Sequence, residues 1–182
     1  MIDNKIQYKK YSFSCNFYEI KTGYQENDKL IKFLTENKIK RNESHFSTFF
    51  DNKQIIETLD LKFFKDFISQ HLMIFIMTVL NKKSFSFTAS WFQAYRPNDF
   101  HDAHIHGSQQ DQYSLIYYVN CTDESAVTAF YGPMHPYVHS HDDIHIKPEK
   151  SKLVIFPSYL PHSAWPNKDE ERIIFSANFK VE

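Results

Sequence analysis

From residue 84 onward the chain alternates. Phe85, Phe87, Ala89, Trp91, Gln93 and Tyr95 fall on one face of an extended segment, and Ser84, Ser86, Thr88 and Ser90 on the other, the period of two that a strand imposes. Tyr113–Val119, Ala126–Tyr131, Ile144–Ile146, Leu153–Phe156 and Arg172–Val181 continue the pattern, separated by turns rich in Pro, Asn and Asp. Short strands between such turns predict a sandwich or small barrel. Ahead of residue 83 the period changes. Phe63/Phe64, Phe67/Ile68, Leu72, Phe75/Ile76 and Val79/Leu80 recur every three or four residues from Leu61 onward, as on a helix. Met73, Ile74 and Met77 widen the stripe, so this helix should be buried on more than one side. A shorter helix is predicted over Glu26–Asn37, and Tyr11, Phe13, Cys15 and Phe17 alternate as one strand. The expected class is mainly β with helical support (α+β). Residues 1–83 supply a strand and helices that pack on a jelly-roll core of residues 84–182, together one unit.

Composition narrows the choice. With 182 residues, 42% of them hydrophobic, the chain has ample material for one core. The formal net charge is −1, and the lysines of the first half are interleaved with acids, which argues against a dedicated nucleic-acid binder. Cys15 and Cys121 form no CxxC pair, so a reducing cytoplasm is the expected compartment. MIDNKIQYKKYSFSC lacks the apolar core of a signal peptide, and the run Leu72–Leu80 is too short to span a bilayer. Three glycines in the whole chain leave no phosphate-cradling GxGxxG or P-loop.

The ten histidines cluster. In His101-Asp102-Ala103-His104-Ile105-His106, residues 104 and 106 share a strand face and can point at one ion together, with His101 expected in the preceding turn. Imidazole suits iron, zinc, copper and nickel alike, so ligand type does not choose the metal. His135, His139, His141 and His145 read as a polar loop, although His139 and His141 are a rival pair. The stretch Pro133–His145 is long enough to serve as a lid. His162 follows the buried run Leu153–Phe156 and is expected on a turn, with Arg172 opening the last strand ten residues later.

Taken in order, WFQAYRPNDFHDAHIHG, YSLIYYV, LVIFPSYLPHSAWP and ERIIFSANF resemble the iron(II)/2-oxoglutarate-dependent oxygenases, specifically a small prolyl-hydroxylase-like group whose first metal motif is HxH. The resemblance covers about residues 90–180. It implies a cupin-like double-stranded β-helix with Fe(II) on His104, His106 and His162. It also implies that 2-oxoglutarate chelates the metal and sets its distal carboxylate on Arg172, whose planar fork suits a carboxylate. Tyr118 shares a face with Ser114 and Ile116 and would join Arg172 there, with Tyr117 as the substitute. Gln93 would hydrogen-bond the oxoacid and Asn178 would line the pocket. The implied reaction consumes O2, releases succinate and CO2, and hydroxylates a small molecule or peptide. Each assignment has a plainer reading: Tyr118 and Tyr95 as core aromatics, Gln93 and Asn178 as structural hydrogen-bonders, Arg172 as a surface partner of Asp169–Glu171. Two departures stand out. Most relatives use HxD, so His106 removes one negative charge, and Ile174 occupies a position where many have a serine.

Two other classes fit the same residues. A cupin-type lyase, isomerase or dioxygenase that does not use 2-oxoglutarate would take Asp111 as a fourth, acidic ligand and leave Arg172 exposed. A metal-free jelly-roll binding module would use the histidines for recognition.

Overall fold

A computed structural model of the chain describes residues 7–12, 16–22, 27–36, 46–47, 62–122, 125–132, 143–168 and 171–182. The described strands are β1 (Tyr8–Ser12), β2 (Asn16–Lys21), β3 (Phe46–Ser47), β4 (Phe85–Tyr95), β5 (His101–His104), β6 (Gln112–Asn120), β7 (Thr128–Phe130), β8 (Ile144–Ile146), β9 (Lys152–Pro157), β10 (His162–Ala164) and β11 (Arg172–Val181). The described helices are α1 (Asn27–Glu36) and α2 (Lys62–Thr78). A seven-stranded sheet has the order β1-β2-β9-β6-β11-β4-β3, and a four-stranded sheet the order β5-β10-β7-β8.

The period of two in the central strands divides the large sheet into two faces with different jobs. Phe92, Ala94, Leu115, Tyr117, Ile155, Ile173, Phe175 and Ala177 form one buried cluster with the helix residues Leu30, Phe64, Ile68, Leu72, Phe75 and Ile76. The residues between them, Tyr95, Ile116, Tyr118, Val154, Phe156 and Ile174, form a second cluster with Phe130, Ile146 and Ala164 of the small sheet. The first face anchors the helices, and the second faces the small sheet. Antiparallel pairing keeps this segregation in register, with Arg172 opposite Tyr95, Ile174 opposite both Gln93 and Tyr118, and Ser176 opposite both Trp91 and Ile116.

Helix α2 owes its place to burial rather than to end charges, since its first turn holds no acid and its last no base. Phe64 is its main anchor. The ring meets Phe175 edge-on at 5.0 Å and lies 5.5 Å from Tyr117 and 6.1 Å from Phe92. Phe64→Ala is expected to lower the unfolding free energy by about 3–5 kcal/mol, measured by denaturant titration. A change within ±0.5 kcal/mol would mean the helix does not depend on this contact.

Four local expectations need correction. Phe85 and Phe87 do not share the face of Trp91, Gln93 and Tyr95, because a register shift in the β4–β11 pairing sets Ala89 and Phe87 opposite the consecutive residues Asn178 and Phe179 and turns the two phenylalanines to the helix side. The single strand expected through Tyr11 and Phe17 is a hairpin of β1 and β2 in which these residues are cross-strand partners, stacked at 4.8 Å. Residues that share a face along one strand and residues paired across two strands give the same alternation. His101 lies in β5 rather than in a turn, and His162 lies in β10, where pairing to His104 on one side and Phe130 on the other makes it a strand. Phe13, Cys15, Glu26, Asn37 and Leu61 lie outside the described residues, as do His135, His139, His141 and most of the expected lid. No helix among the described residues is long and apolar enough to cross a membrane.

Candidate active site

A cavity lies between the two sheets. The small sheet and the residues that follow β5 contribute four histidines to it, three of which converge. His104 ends β5, and His162 opens β10 directly opposite. His106 follows β5, its backbone N–H donating to the carbonyl of Ser158 at 2.8 Å. One nitrogen from each ring lies within 4.8 Å of the other two, and no other such group of His, Cys, Asp or Glu occurs among the described residues. The ring nitrogens are already sorted by their hydrogen bonds. Nδ1 of His104 faces the Asp102 carbonyl at 2.6 Å, and Nδ1 of His162 faces that of Leu160 at 3.0 Å. A carbonyl requires an N–H, so both rings carry the proton on Nδ1 and present Nε2 as the lone pair. Nε2 of His106 and Nε2 of His162 are 3.2 Å apart. Two nitrogens held at ~2.1 Å from one ion and at right angles to each other would be ~3.0 Å apart. The spacing fits a shared cation.

Electrostatics favours the neutral rings that a metal requires. Burial pushes the His106 imidazole down to about 3, with His104 and His101 adding to the shift. Burial also holds His162 well below the usual range, reinforced by His104 and His106, and lowers His104. The unfolded chain binds these protons near pH 6.5, whereas the folded metal-free protein binds them only at lower pH. Between those limits the unfolded state holds more protons, so stability falls as pH falls. The melting temperature of the metal-free protein should therefore drop steadily from pH 7 to pH 5, with a shallower slope in His106→Gln. Equal slopes for the two proteins would contradict the depressed His106 pKa.

The opposite wall belongs to the large sheet. Trp91, Gln93 and Tyr95 of β4, Ile116 of β6, and Arg172, Ile174 and Ser176 of β11 line it, with Thr128 of β7 beside them. Arg172 is 1% exposed. One Nη donates to the Ala126 carbonyl at 2.9 Å and the other to the Thr128 hydroxyl at 2.9 Å. Its guanidinium carbon lies 4.9 Å from the Tyr95 ring centre and 5.4 Å from that of Tyr118. Nε has no hydrogen-bond partner among the described residues, and no described carboxylate pairs with the guanidinium. A buried cation without a carboxylate is costly. It is the arrangement expected of a receptor for a carboxylate ligand. Burial raises Tyr95 to about 12 and also raises Tyr118, with Arg172 opposing in both, so both phenols keep their protons at neutral pH.

The other residues singled out from the sequence fall as follows. Tyr118 is on the cavity face but behind the lining, its hydroxyl 2.8 Å from Thr128 Oγ1. Tyr117 points to the helices and donates to Asn27 Oδ1 at 2.9 Å, so it cannot substitute for Tyr118. Asn178 lies outside the cavity lining, where it accepts a hydrogen bond from Ser114, which in turn meets Ser158, the residue whose carbonyl holds His106. Asp111 pairs with Lys180 at 3.1 Å instead of joining the histidines. His101 stacks on His104 with ring centres 3.9 Å apart and lines the cavity without entering the three-histidine group. His145 packs edge-on against Trp165 at 4.5 Å. Thr128 escaped the sequence reading. The available signal was a lone hydroxyl at period two with Ala126 and Phe130 in an otherwise apolar strand.

Residues 89–178, which hold all three histidines and Arg172, match the family model described as "Putative 2OG-Fe(II) oxygenase". That segment, close to half of the chain, is similar to the iron(II)- and 2-oxoglutarate-dependent oxygenases. No curated protein sequence matches it. Among solved structures, the viral collagen prolyl hydroxylase vCPH of Paramecium Bursaria Chlorella virus-1, in its 2-oxoglutarate complex, aligns with TM-score 0.67 and 18% identity, over 91% of this chain and 96% of that one. HygX from Streptomyces hygroscopicus, with nickel, 2-oxoglutarate and hygromycin B bound, aligns at 0.69 and 8% identity, over 90% and 82%. A Pseudomonas putida prolyl-4-hydroxylase aligns at 0.59 and 13% identity, over 91% and 92%. At these identities the structures speak for the fold.

Proposed function

We propose that His104, His106 and His162 hold one Fe(II) through their Nε2 atoms, and that Arg172 receives the distal carboxylate of 2-oxoglutarate, so that the protein hydroxylates an organic substrate. The observation that carries this reading is the pairing of three neutral, converging imidazoles with a buried arginine that has no carboxylate partner among the described residues, across one cavity. Bound together, the metal, the oxoacid and O2 would supply the oxidant, with succinate and CO2 as coproducts.

The chain's own residues then have distinct tasks. The Asp102 and Leu160 carbonyls fix the tautomers of His104 and His162, and Trp91, 5.4 Å from the His106 ring, restrains the third imidazole. Thr128 ties Arg172 to the Tyr118 hydroxyl, making a small polar pocket at the arginine end. Gln93 lines the same wall and would hydrogen-bond the oxoacid. Phe130 and Phe156 pack on His162 at 5.8 and 4.7 Å and keep water from its buried side.

The finer architecture is a double-stranded β-helix formed by residues 84–182, supported by the N-terminal strands and helices. Its support is the division of the eight strands β4–β11 into four in each sheet, the strand number of a jelly roll. Incubation with Fe(II), 2-oxoglutarate and air tests the proposal. Slow succinate formation without added substrate, lost in His104→Ala, is expected. No succinate under any substrate screen would count against it.

A further inference from the structure

We infer that Asn167 is a positioning residue for oxoacid binding, acting through the Ala126 carbonyl that holds Arg172. The inference rests on Arg172 being the carboxylate receptor.

Asn167 lies between β10 and β11, is 1% exposed, and does not line the cavity. Its polar atoms nevertheless join the loops that meet around Arg172. Its backbone N–H donates to the Asp99 carbonyl at 2.9 Å, and its carbonyl accepts from the Asn98 N–H at 2.7 Å. That second bond steadies Asn98 at φ 69°, a left-handed conformation that asparagine tolerates better than most residues. The side chain reaches two further segments. Oδ1 accepts from the Ala126 N–H at 3.1 Å, and Nδ2 donates to the Tyr95 carbonyl at 3.2 Å.

Those two residues are ones that hold the guanidinium. The Ala126 carbonyl accepts from Nη1 of Arg172, and the Tyr95 ring lies against the guanidinium face. The remaining anchor, Thr128, sits in the paired strand β7 and needs no such help. Ala126 precedes that strand, in the connection from β6, so its carbonyl direction depends on what grips its own N–H. A carboxamide is suited to the task because one planar group offers both a donor and an acceptor. Aspartate would keep the bond from Ala126 and lose the one to Tyr95, and alanine would lose both. Since the Ala126 carbonyl is backbone and cannot be deleted by substitution, Asn167 is the side chain through which its position can be altered.

The test uses the Ni(II)-loaded protein, titrated calorimetrically with 2-oxoglutarate and separately with pyruvate, a 2-oxoacid without a second carboxylate for Arg172. Asn167→Ala is expected to weaken 2-oxoglutarate by roughly tenfold, the scale of one misplaced charge-assisted hydrogen bond. Ni(II) and pyruvate affinities should stay within about twofold, inside the error expected of independent sites. Asn167→Asp should lose less than Asn167→Ala. In an Arg172→Gln background, Asn167→Ala should have no further effect, because the residue it acts through is gone. Equal loss of both oxoacids, or full additivity with Arg172→Gln, would overturn the inference and leave Asn167 a support of the fold. Should Asn167→Ala fail to fold, Asn167→Asp and Asn167→Ser carry the same comparison. Failure of the parent protein to bind 2-oxoglutarate would instead remove the reading of Arg172, and this inference with it.

Discussion

His162→Ala is expected to abolish turnover and to weaken Fe(II) binding by more than about a hundredfold. Loss of groups that merely orient metal ligands already costs 10- to 100-fold, and His162 is the most deeply buried of the three histidines, at 3% exposure. Its ring is fixed on one side by the Leu160 carbonyl and on the others by Phe130 and Phe156. The fold should survive. His162 contributes a desolvated neutral ring rather than an ion pair, and its strand is held by backbone pairing to β5 and β7. Circular dichroism should match the parent, and His162→Gln should repeat the metal defect with less loss of packing. Metal affinity near the parent value in both variants would remove His162 from the site.

Arg172→Met should separate stability from ligand binding. Fe(II) affinity is expected to stay near the parent value, because the arginine makes no contact with the histidines. Affinity for 2-oxoglutarate should fall by roughly 100-fold or more, from the loss of charge-assisted hydrogen bonds worth ~1.5–3 kcal/mol each. The metal-free protein, however, should become as stable or more stable. The parent buries a guanidinium whose Nε lacks a partner and which has no described carboxylate beside it, and replacing such a buried charge with an apolar side chain is often neutral or favourable. Arg172→Lys should keep the charge and still bind 2-oxoglutarate more weakly, since a point charge replaces a fork. Melting temperatures with and without 2-oxoglutarate give both readouts. A ligand-induced shift equal to that of the parent would show that the carboxylate is received elsewhere.

Much of this site was legible in the chain. The period of two set the faces at the cavity end of β4 and β11, so Gln93 and Arg172 fell on the cavity wall, whereas Phe85 and Phe87, expected on the face of Gln93, pack with the helices because the pairing shifts by one residue between Ala89 and Phe87. The HxH spacing and the order of the motifs pointed to His104, His106 and His162 together. What was hidden depends on contacts between distant segments. Asn178 shares a period with Arg172, yet it lies farther along β11, beside Ser114 and outside the lining, where period alone carries no depth information. Thr128 and Asn167 matter through bonds to residues 44 and 41 positions away, which no local pattern encodes. The β1–β2 hairpin was read as one strand because cross-strand partners and same-strand neighbours give the same alternation.

The most direct measurement is an anaerobic titration. Fe(II) is added to the metal-free protein, followed by 2-oxoglutarate, and the visible spectrum is followed for the weak charge-transfer band of an iron–oxoacid chelate. The expected result is a saturable band that requires both additions, is absent in His104→Ala, and needs far more 2-oxoglutarate in Arg172→Gln. Tight iron binding with no band at any 2-oxoglutarate concentration would contradict the assignment of this cavity to iron and 2-oxoglutarate together.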